Sequence, residues 1–335
     1  MIKTLYVIGN GFDLHHWIES GYTDYLKWLR KHHKDVYQDL LKFYKDATEY
    51  DWWKDLETNL GYPTDLKEYA DEVAFANQPD EDDFARDHYV DEKSGKYDVE
   101  SELGSLVSKI KDTFHDWVKG LNKPYYCTRI HLDTNDSVFL NFNYTRTLEN
   151  FYHINEDQVL HIHGRVEEDP NIEEFILGHG RSQDDIKDSL AEYTMADYHG
   201  QDPKEFLTGL QVDNITGYTR AAIVDNLYEL HKDVDGIIAR NQKFFLSLKD
   251  VEHVYIYGLS FGEVDLMYMK TIVNSVSLTA DYTINFFTEK DIKNIQSFAD
   301  VNNITPKFVT LKNKVVHKNL YQLCSFVREI SKKLK

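Results

Sequence analysis

The segment LYVIGNGFD, residues 5–13, runs from an apolar stretch directly into a glycine-rich turn. Gly9-Asn10-Gly11 would follow a buried strand, and a helix would begin beside the turn. Glycine lets a backbone approach a phosphate closely, and a helix N-terminus offers free N–H groups and the positive end of the helix dipole. The pattern departs from G-x-G-x-x-G because Leu14 occupies the third glycine position. A phosphate cradle and a purely structural tight turn therefore both fit this segment.

An amide follows the next apolar stretch. LNFNYTRTLE, residues 140–149, places Asn143 where a strand should end, and we expect Thr145 to cap a following helix. An asparagine at this point could orient a ligand. Taken alone, Asn143 is also explained as a turn or cap residue.

Two histidines alternate in the third segment. VLHIHGRV, residues 159–166, places His161 and His163 two positions apart, so both should point to one face of a strand. His163 comes at the strand end, just before Gly164, and imidazole is suited to general-base chemistry near neutral pH. His161 lies one strand period deeper, so we assign it a structural role. No cysteine or acidic residue stands at a suitable spacing, and we expect no metal site.

Two more apolar stretches end in small-residue turns. They are FILGHGRS, residues 175–182, and YIYGLSFGEVD, residues 255–265. In the second, Ser260 should lie near the ligand, and Asp265 should support the turn or cap the next helix. Five strand ends at one edge of a parallel sheet would form a ligand site.

The elements that must position these residues follow from apolar periodicity. Most apolar stretches are continuous rather than alternating, which is typical of a parallel sheet covered on both faces. The predicted strands are TLYVIG (4–9), SVFLNF (137–142), QVLHIH (158–163), FILG (175–178), HVYIYG (253–258), YTINFF (282–287) and KFVTLK (307–312). Helical spacing predicts helices over 22–47, 99–121, 219–247, 262–275, 289–298 and 316–334.

These elements predict an α/β fold, Rossmann-like, with a mostly parallel sheet, helices on both faces and two large helical insertions. We expect a single domain over residues 1–335, with the insertions at about 14–130 and 183–249. Segments 80–98 and 184–203 are the expected mobile loops.

Charge and cysteine content exclude several functional classes. The net charge of −19 disfavours non-specific nucleic-acid binding, which depends on clustered Lys and Arg. Residues 303–335 nevertheless hold eight basic residues and one acidic residue, which leaves a local nucleic-acid site open. Cys127 and Cys324 show no zinc or disulfide spacing, as expected in a reducing cytoplasm. No signal peptide or membrane-spanning apolar run is visible, so we expect a soluble cytoplasmic protein without a membrane partner.

The motifs VIGNGFDLHH, LNFNYTRTLE, LHIHGRV and ILGHG, in this order, resemble the AbiH family of bacterial abortive-infection proteins. That family is associated with defence against bacteriophage. The resemblance covers the whole chain in order, although the helical segments match only in character. It implies a defence protein with a phage or host protein as its trigger.

A more distant resemblance is to sirtuin-like NAD-consuming domains, which have glycine turns and an Asn and a His at the same places. It implies that Asn143 and His163 act on the ribose that carries nicotinamide. The zinc-binding cysteine module of deacetylating sirtuins is absent, which disfavours protein deacetylation. The positions assigned to nucleotide binding are Gly9, Asn10, Gly11, Asp13, Gly164, Gly258, Ser260 and Asp265.

We therefore expect NAD as substrate or ligand, with cleavage of the nicotinamide–ribose bond. His163 would be the general base and Asn143 the orienting group. Two other functions stay open: a nucleotide-sensing or scaffold protein that binds a phage or host macromolecule, and a nucleic-acid effector that uses the basic C-terminal tail. Homo-oligomerisation is also left open.

Overall fold

The fold is that of a computed structural model, which describes residues 1–78, 91–125, 129–166, 175–190 and 203–310. The chain divides into two compact units. The sheet unit comprises residues 1–24, 115–176 and the chain from 233 onward. The helical unit comprises residues 25–114 and 177–232.

A parallel sheet forms the centre of the sheet unit, and its strands are ordered β3-β2-β1-β4-β5-β6. The strands are β1 (Thr4–Ile8), β2 (Ser137–Asn141), β3 (Val159–His161), β4 (His253–Tyr257), β5 (Asp281–Asn285) and β6 (Pro306–Val309). The chain builds outward from β1 to β3 and then returns to place β4 on the other side of β1. This arrangement confirms the predicted Rossmann-like α/β fold, and it places the reversal of strand order between β1 and β4.

Alternate side chains of each strand enter different cores. Leu5 and Val7 of β1 belong to one hydrophobic cluster, whereas Tyr6 and Ile8 belong to another. Both faces of the sheet are therefore buried, which is why the strands read as continuous apolar stretches. The helices of this unit are Asn10–His15, Thr147–Tyr152, Val234–Arg240, Gln242–Ser247, Glu263–Ser275 and Glu289–Asn302, with 3-10 turns at Glu156–Gln158 and Leu248–Asp250.

Aromatic stacking fixes the register of the three central strands. Tyr6 of β1 stacks on Phe139 of β2 at a centroid distance of 4.9 Å and on Tyr255 of β4 at 5.1 Å. The same residues are register partners in the sheet. Since register sets where each strand ends, this stack also helps to align the turns that follow β1, β2 and β4.

In its described residues, the helical unit consists of helices and connecting segments. Trp53 is fully buried there and donates its indole N–H to the Ala47 carbonyl at 2.8 Å. The helices that lie wholly or largely in this unit are Tyr22–His32, Lys34–Phe43, Leu56–Asn59, Leu66–Ala76, Ser94–Val99, Ser105–Lys119, Gln183–Ser189 and Pro203–Tyr228, with a π-helical turn at Glu100–Gly104 and 3-10 turns at Lys45–Thr48 and Trp52–Asp55.

Four element predictions need correction. The predicted acidic loop 80–98 ends in a helix, because its residues from Ser94 onward belong to the helix Ser94–Val99. FILG (175–178) is not a strand: Ile176 makes a single backbone hydrogen bond to His163, at 2.8 Å, and no strand lies beside it. The predicted loop 184–203 contains the helix Gln183–Ser189, which Ser182 caps in a capping box with Asp185. The helix predicted over 219–247 is interrupted at Asp233, whose side chain caps a new helix by accepting from Gly236.

Several predictions lie outside the described residues. These are the helix over 316–334, most of the basic tail, residues 80–90 of the acidic loop, residues 191–202 of the second loop, and both Cys127 and Cys324.

Candidate functional site

The glycine turns after β1 and β4 pack against each other. Gly11 donates its backbone N–H to the Gly258 carbonyl at 2.8 Å. A Cβ built on Gly11 would lie 2.7 Å from Gly258 Cα, and one built on Gly258 would lie 2.1 Å from the Phe12 nitrogen. Gly258 also has φ +73°, a backbone conformation that glycine adopts without steric cost.

Gly9 takes part in the same contact, because a Cβ there would lie 2.7 Å from the Gly258 carbonyl oxygen. Direct packing of two backbones therefore accounts for all three glycines as a structural turn. Their place is also the reversal point of strand order, where open α/β sheets bind ligands beyond the carboxyl ends of the strands. Nucleotide binding by these glycines stays a prediction.

Asn143 joins the end of β2 to this turn. Its side-chain amide donates to the Gly9 carbonyl at 3.2 Å, and its backbone N–H donates to the Asn141 side chain at 3.0 Å. Asn143 is 6% exposed. The structure thus brings one predicted catalytic residue into contact with the predicted glycine turn.

The side chain of Asn10 points away from that contact. It accepts from the Ser20 hydroxyl at 2.6 Å and donates to the Ser20 carbonyl at 3.0 Å. Asn10 thereby holds the segment that follows the Asn10–His15 helix. The place of Asn10 in the glycine turn did not predict this contact, which positions the segment around Ser20.

Asp13 connects the first motif with the second. Its Oδ2 accepts from the Thr145 hydroxyl at 2.5 Å, and the Thr145 hydroxyl lies 3.2 Å from that of Thr147. Asp13 is completely buried, and its Oδ1 has no hydrogen-bond partner among the described residues. The expectation that Thr145 caps a helix is wrong, because the helix begins at Thr147 and Thr145 bonds to Asp13 instead.

Burial has the largest effect on Asp13 and raises its pKa to about 6. Hydrogen bonds from Thr145 and Thr147 and the charge of His161 act to lower this pKa, whereas the charge of Glu149 acts to raise it. A carboxyl group with this pKa is largely ionised at neutral pH.

His161 forms a buried pair with Glu149. Its Nε2 lies 2.7 Å from Glu149 Oε1, and both side chains are about nine-tenths or more buried. Its Nδ1 lies 3.2 Å from the Asn143 carbonyl. Burial acts to raise the pKa of Glu149, but the hydrogen bond and charge of His161 outweigh it and hold that pKa below its usual value.

The expectation that both histidines share one face is wrong. β3 ends at His161, and the chain then turns, with Gly164 donating to the His161 carbonyl at 3.1 Å and adopting φ +73°. The His163 ring packs edge-on against Phe142 at 5.3 Å and against Tyr268 at 5.4 Å, both in the core cluster that contains Val7.

His161 instead contacts the helix Thr147–Tyr152, which packs on the opposite face. His163 is 3% exposed, so the ring proposed as general base lies within that core.

Ser260 and Asp265 lie on the β4 side. The predicted strand, turn and helix are present, with β4 ending at Tyr257 and a helix running over Glu263–Ser275. Ser260 is exposed, and its carbonyl accepts from Asn294 at 3.4 Å. Asp265 lies in the first turn of the helix, where its backbone N–H donates to Gly262 at 2.9 Å.

The GHGRS motif does not follow a strand of the sheet, so four of the five predicted strand ends are present. Residues 177–182 belong to the helical unit. There, Gly178 has φ +156°, and His179 exchanges backbone hydrogen bonds of 2.8 Å with Leu230 and Lys232. His179 Nδ1 accepts from Arg181 at 3.1 Å. Burial lowers the pKa of His179 to about 4. These contacts link the GHGRS motif to residues 230–232 within the helical unit.

The sequence motifs did not predict the polar network that links Asp13, Thr145, Thr147, Glu149 and His161. Thr145, Thr147 and Glu149 alternate shortly after Asn143. Thr145 bonds to Asp13, Thr147 lies within hydrogen-bond distance of Thr145, and Glu149 pairs with His161. Polar residues at alternate positions beside an apolar strand were an available signal. Nothing local, however, shows that Asp13 is their partner.

No group of three or more His, Cys, Asp or Glu side chains among the described residues is arranged to hold a metal ion. No described helix is long and apolar enough to cross a membrane.

The strand order and the packed glycine turns define a Rossmann-like α/β protein with a polar cluster at the carboxyl edge of its central strands. The family described as Bacteriophage abortive infection AbiH matches residues 5–286, which span β1 to the end of β5. The chain therefore belongs to the AbiH family of bacteriophage abortive-infection proteins. No curated protein and no solved structure gives a significant match.

Proposed function

We propose that this AbiH protein acts in phage defence by binding NAD at the carboxyl edge of β1, β2 and β4 and hydrolysing its nicotinamide–ribose bond. The observation that carries the proposal is the contact of Asn143 with Gly9, at 3.2 Å, beside the point where strand order reverses. In open α/β sheets this is the place where dinucleotides bind. The resemblance of the turns to sirtuin-like domains supports the same ligand.

The reaction breaks the N-glycosidic bond of NAD and releases nicotinamide with the bonding electron pair. Water then bonds to the ribose carbon and gives up a proton, which leaves ADP-ribose. Asn143 would orient the ribose or the water. His163 would accept the proton, since imidazole is the side chain best suited to general-base chemistry near neutral pH.

For His163 to act, its ring must reach the ribose from its place between Phe142 and Tyr268. Its burial, with 3% exposure, favours a second candidate function, nucleotide binding without turnover. In that case the protein would sense a nucleotide and act on a phage or host macromolecule through other surfaces.

The test is release of nicotinamide from NAD by purified protein, followed by chromatography. We expect Asn143→Ala, His163→Ala and His163→Gln each to lower the rate by about 10²- to 10⁴-fold, the usual size of a lost general base or orienting group. His163→Gln retains most of the side-chain volume and so guards against a variant that fails to fold. Circular dichroism establishes which variants are folded.

Matched controls come from the same unit. Asn150 is exposed on the helix Thr147–Tyr152, and His253 is exposed at the first residue of β4, the end opposite the site. Asn150→Ala and His253→Ala should keep the wild-type rate.

A wild-type rate in folded His163 variants would refute the assigned base. Tight binding of NAD without release of nicotinamide would establish the sensor. A salt-dependent shift of DNA or RNA, without NAD binding, would instead favour a nucleic-acid effector.

A further inference from the structure

Asp13 is the most deeply buried acidic side chain of the candidate site. It is 0% exposed and follows the glycine turn by two residues. One carboxylate oxygen accepts from Thr145 at 2.5 Å, and the other has no partner among the described residues. The groups that hydrogen-bond to Asp13 are the neutral hydroxyls of Thr145 and Thr147, and among the described residues no cationic side chain forms an ion pair with this carboxylate.

The charged groups around Asp13 are already paired with others. His161 bonds to Glu149 at 2.7 Å, and Arg165 Nη1 lies 4.0 Å from the same Glu149 oxygen. On the helix of Asp13 itself, burial lowers the pKa of His16 to about 3, so that ring is neutral at physiological pH. Since the pKa of Asp13 is about 6, its carboxylate is mostly negative at pH values above this.

Hydrogen bonds connect Asp13 with the segments proposed to contact the ligand. Thr145, which holds Asp13, is two residues after Asn143, and Asn143 bonds to Gly9, four residues before Asp13. Asp13 is thus bonded to the segment that carries Asn143, the residue proposed to orient the nicotinamide ribose. A charge in such a poorly solvated place acts over a longer distance than one at the surface.

We propose that Asp13 is a specificity-determining residue, whose buried negative charge makes the site select the positively charged oxidised nicotinamide ring over the neutral reduced ring. The inference rests on the proposed function, because it needs a nicotinamide dinucleotide at this edge of the sheet. The same charge would favour the positive charge that develops on the ribose as nicotinamide departs.

The expected size follows from Coulomb's law. A unit charge at about 8 to 12 Å, in an effective dielectric near 20, gives about a 10- to 30-fold preference for the cationic ligand. Screening by salt weakens this only in part, since Asp13 is fully buried.

The test measures the dissociation constants of carba-NAD and NADH by calorimetry. Carba-NAD carries the cationic ring but has a carbocyclic ribose that cannot be hydrolysed, and NADH carries the neutral ring. We expect the wild-type protein to prefer carba-NAD by about tenfold or more. Asp13→Asn, which keeps the shape and the Thr145 contact, should reduce the preference to near unity, and Asp13→Glu should restore part of it.

Asp281→Asn is the matched control, because Asp281 is an exposed acid at the first residue of β5. It removes one formal charge from the same unit and should leave the preference unchanged. A purely structural role for Asp13 would change both affinities together, and their ratio would not move.

The outcomes separate the two proposals. Equal wild-type affinity for both ligands, or a preference that persists in folded Asp13→Asn, overturns the role of Asp13 while the proposed function stands. Binding of neither ligand by the wild-type protein overturns both proposals. If Asp13→Asn does not fold, equal wild-type affinities still overturn the role of Asp13, and an unchanged preference in Asp13→Ser overturns it as well.

Discussion

Replacing Gly258 with alanine should destabilise the sheet unit more than any other single methyl group added to the turn after β4. The new Cβ would lie 2.1 Å from the Phe12 nitrogen and 2.5 Å from the Gly11 carbonyl carbon. Both neighbours are backbone atoms, so no side-chain rotation can relieve the overlap. Either the Gly11 N–H bond to Gly258, at 2.8 Å, must lengthen or the two turns must separate.

The magnitude has two parts. An L side chain in the left-handed region, here at φ +73°, costs about 1–2 kcal/mol. Forcing an extra methyl group into a packed site costs about 1–3 kcal/mol more. We therefore expect a loss of about 2–5 kcal/mol in the free energy of unfolding.

Gly262 provides the control in the same turn. It has φ −63°, and the nearest atom to its would-be Cβ is the Ser260 hydroxyl oxygen at 3.7 Å. Gly262→Ala changes only a helix cap and should cost less than about 1 kcal/mol.

The assay is urea denaturation together with hydrogen exchange of peptides that cover β1. Exchange is needed because two compact units can unfold in separate transitions, which would make a single denaturation curve ambiguous. Gly258→Ala should increase exchange throughout β1 and β4 under native conditions. Equal effects of the Gly258→Ala and Gly262→Ala substitutions would refute the idea that backbone contact at this turn stabilises the unit.

Two further predictions concern buried titratable groups. Lys232 is fully buried and donates to Glu57 at 2.9 Å. Glu57→Leu should therefore cost about 3 kcal/mol by removing the acceptor of a buried ammonium group, and adding Lys232→Met should recover most of the loss; urea midpoints that show no recovery would contradict this. Burial lowers the pKa of His16 from 6.5 to about 3. Between pH 3 and pH 6.5 the imidazole is therefore protonated in the unfolded chain but neutral in the folded protein. The free energy of unfolding consequently decreases as the pH falls below 6.5. The loss should reach about 2 kcal/mol near pH 5, and a His16→Gln variant should lose this part of the pH dependence; identical slopes for the two proteins would refute it.

The sequence by itself determined the sheet. Continuous apolar stretches such as those of β1 and β4 can be satisfied only by burial on both faces, and this requirement is readable without knowing the neighbours. It located the six strands of the described residues to within a few positions, together with one false strand at 175–178, and with them the parallel Rossmann-like class. Gly9, Asn143 and Gly258 could be placed near one another for the same reason, since the carboxyl ends of parallel strands share one edge.

Only the tertiary structure decided which side chains meet at that edge. Asp13 and Thr145 are 132 positions apart, and no local pattern identifies one as the partner of the other. The faces of His161 and His163 depended on where β3 ends, because the alternation rule holds only within a strand and His163 lies in the turn after it. Whether Gly11 approaches a ligand or another backbone likewise depended on β4, which pairs beside β1 only after the chain has passed through β2 and β3. Local sequence fixes what a segment must bury, but contacts between distant segments are set by the packing of the whole unit.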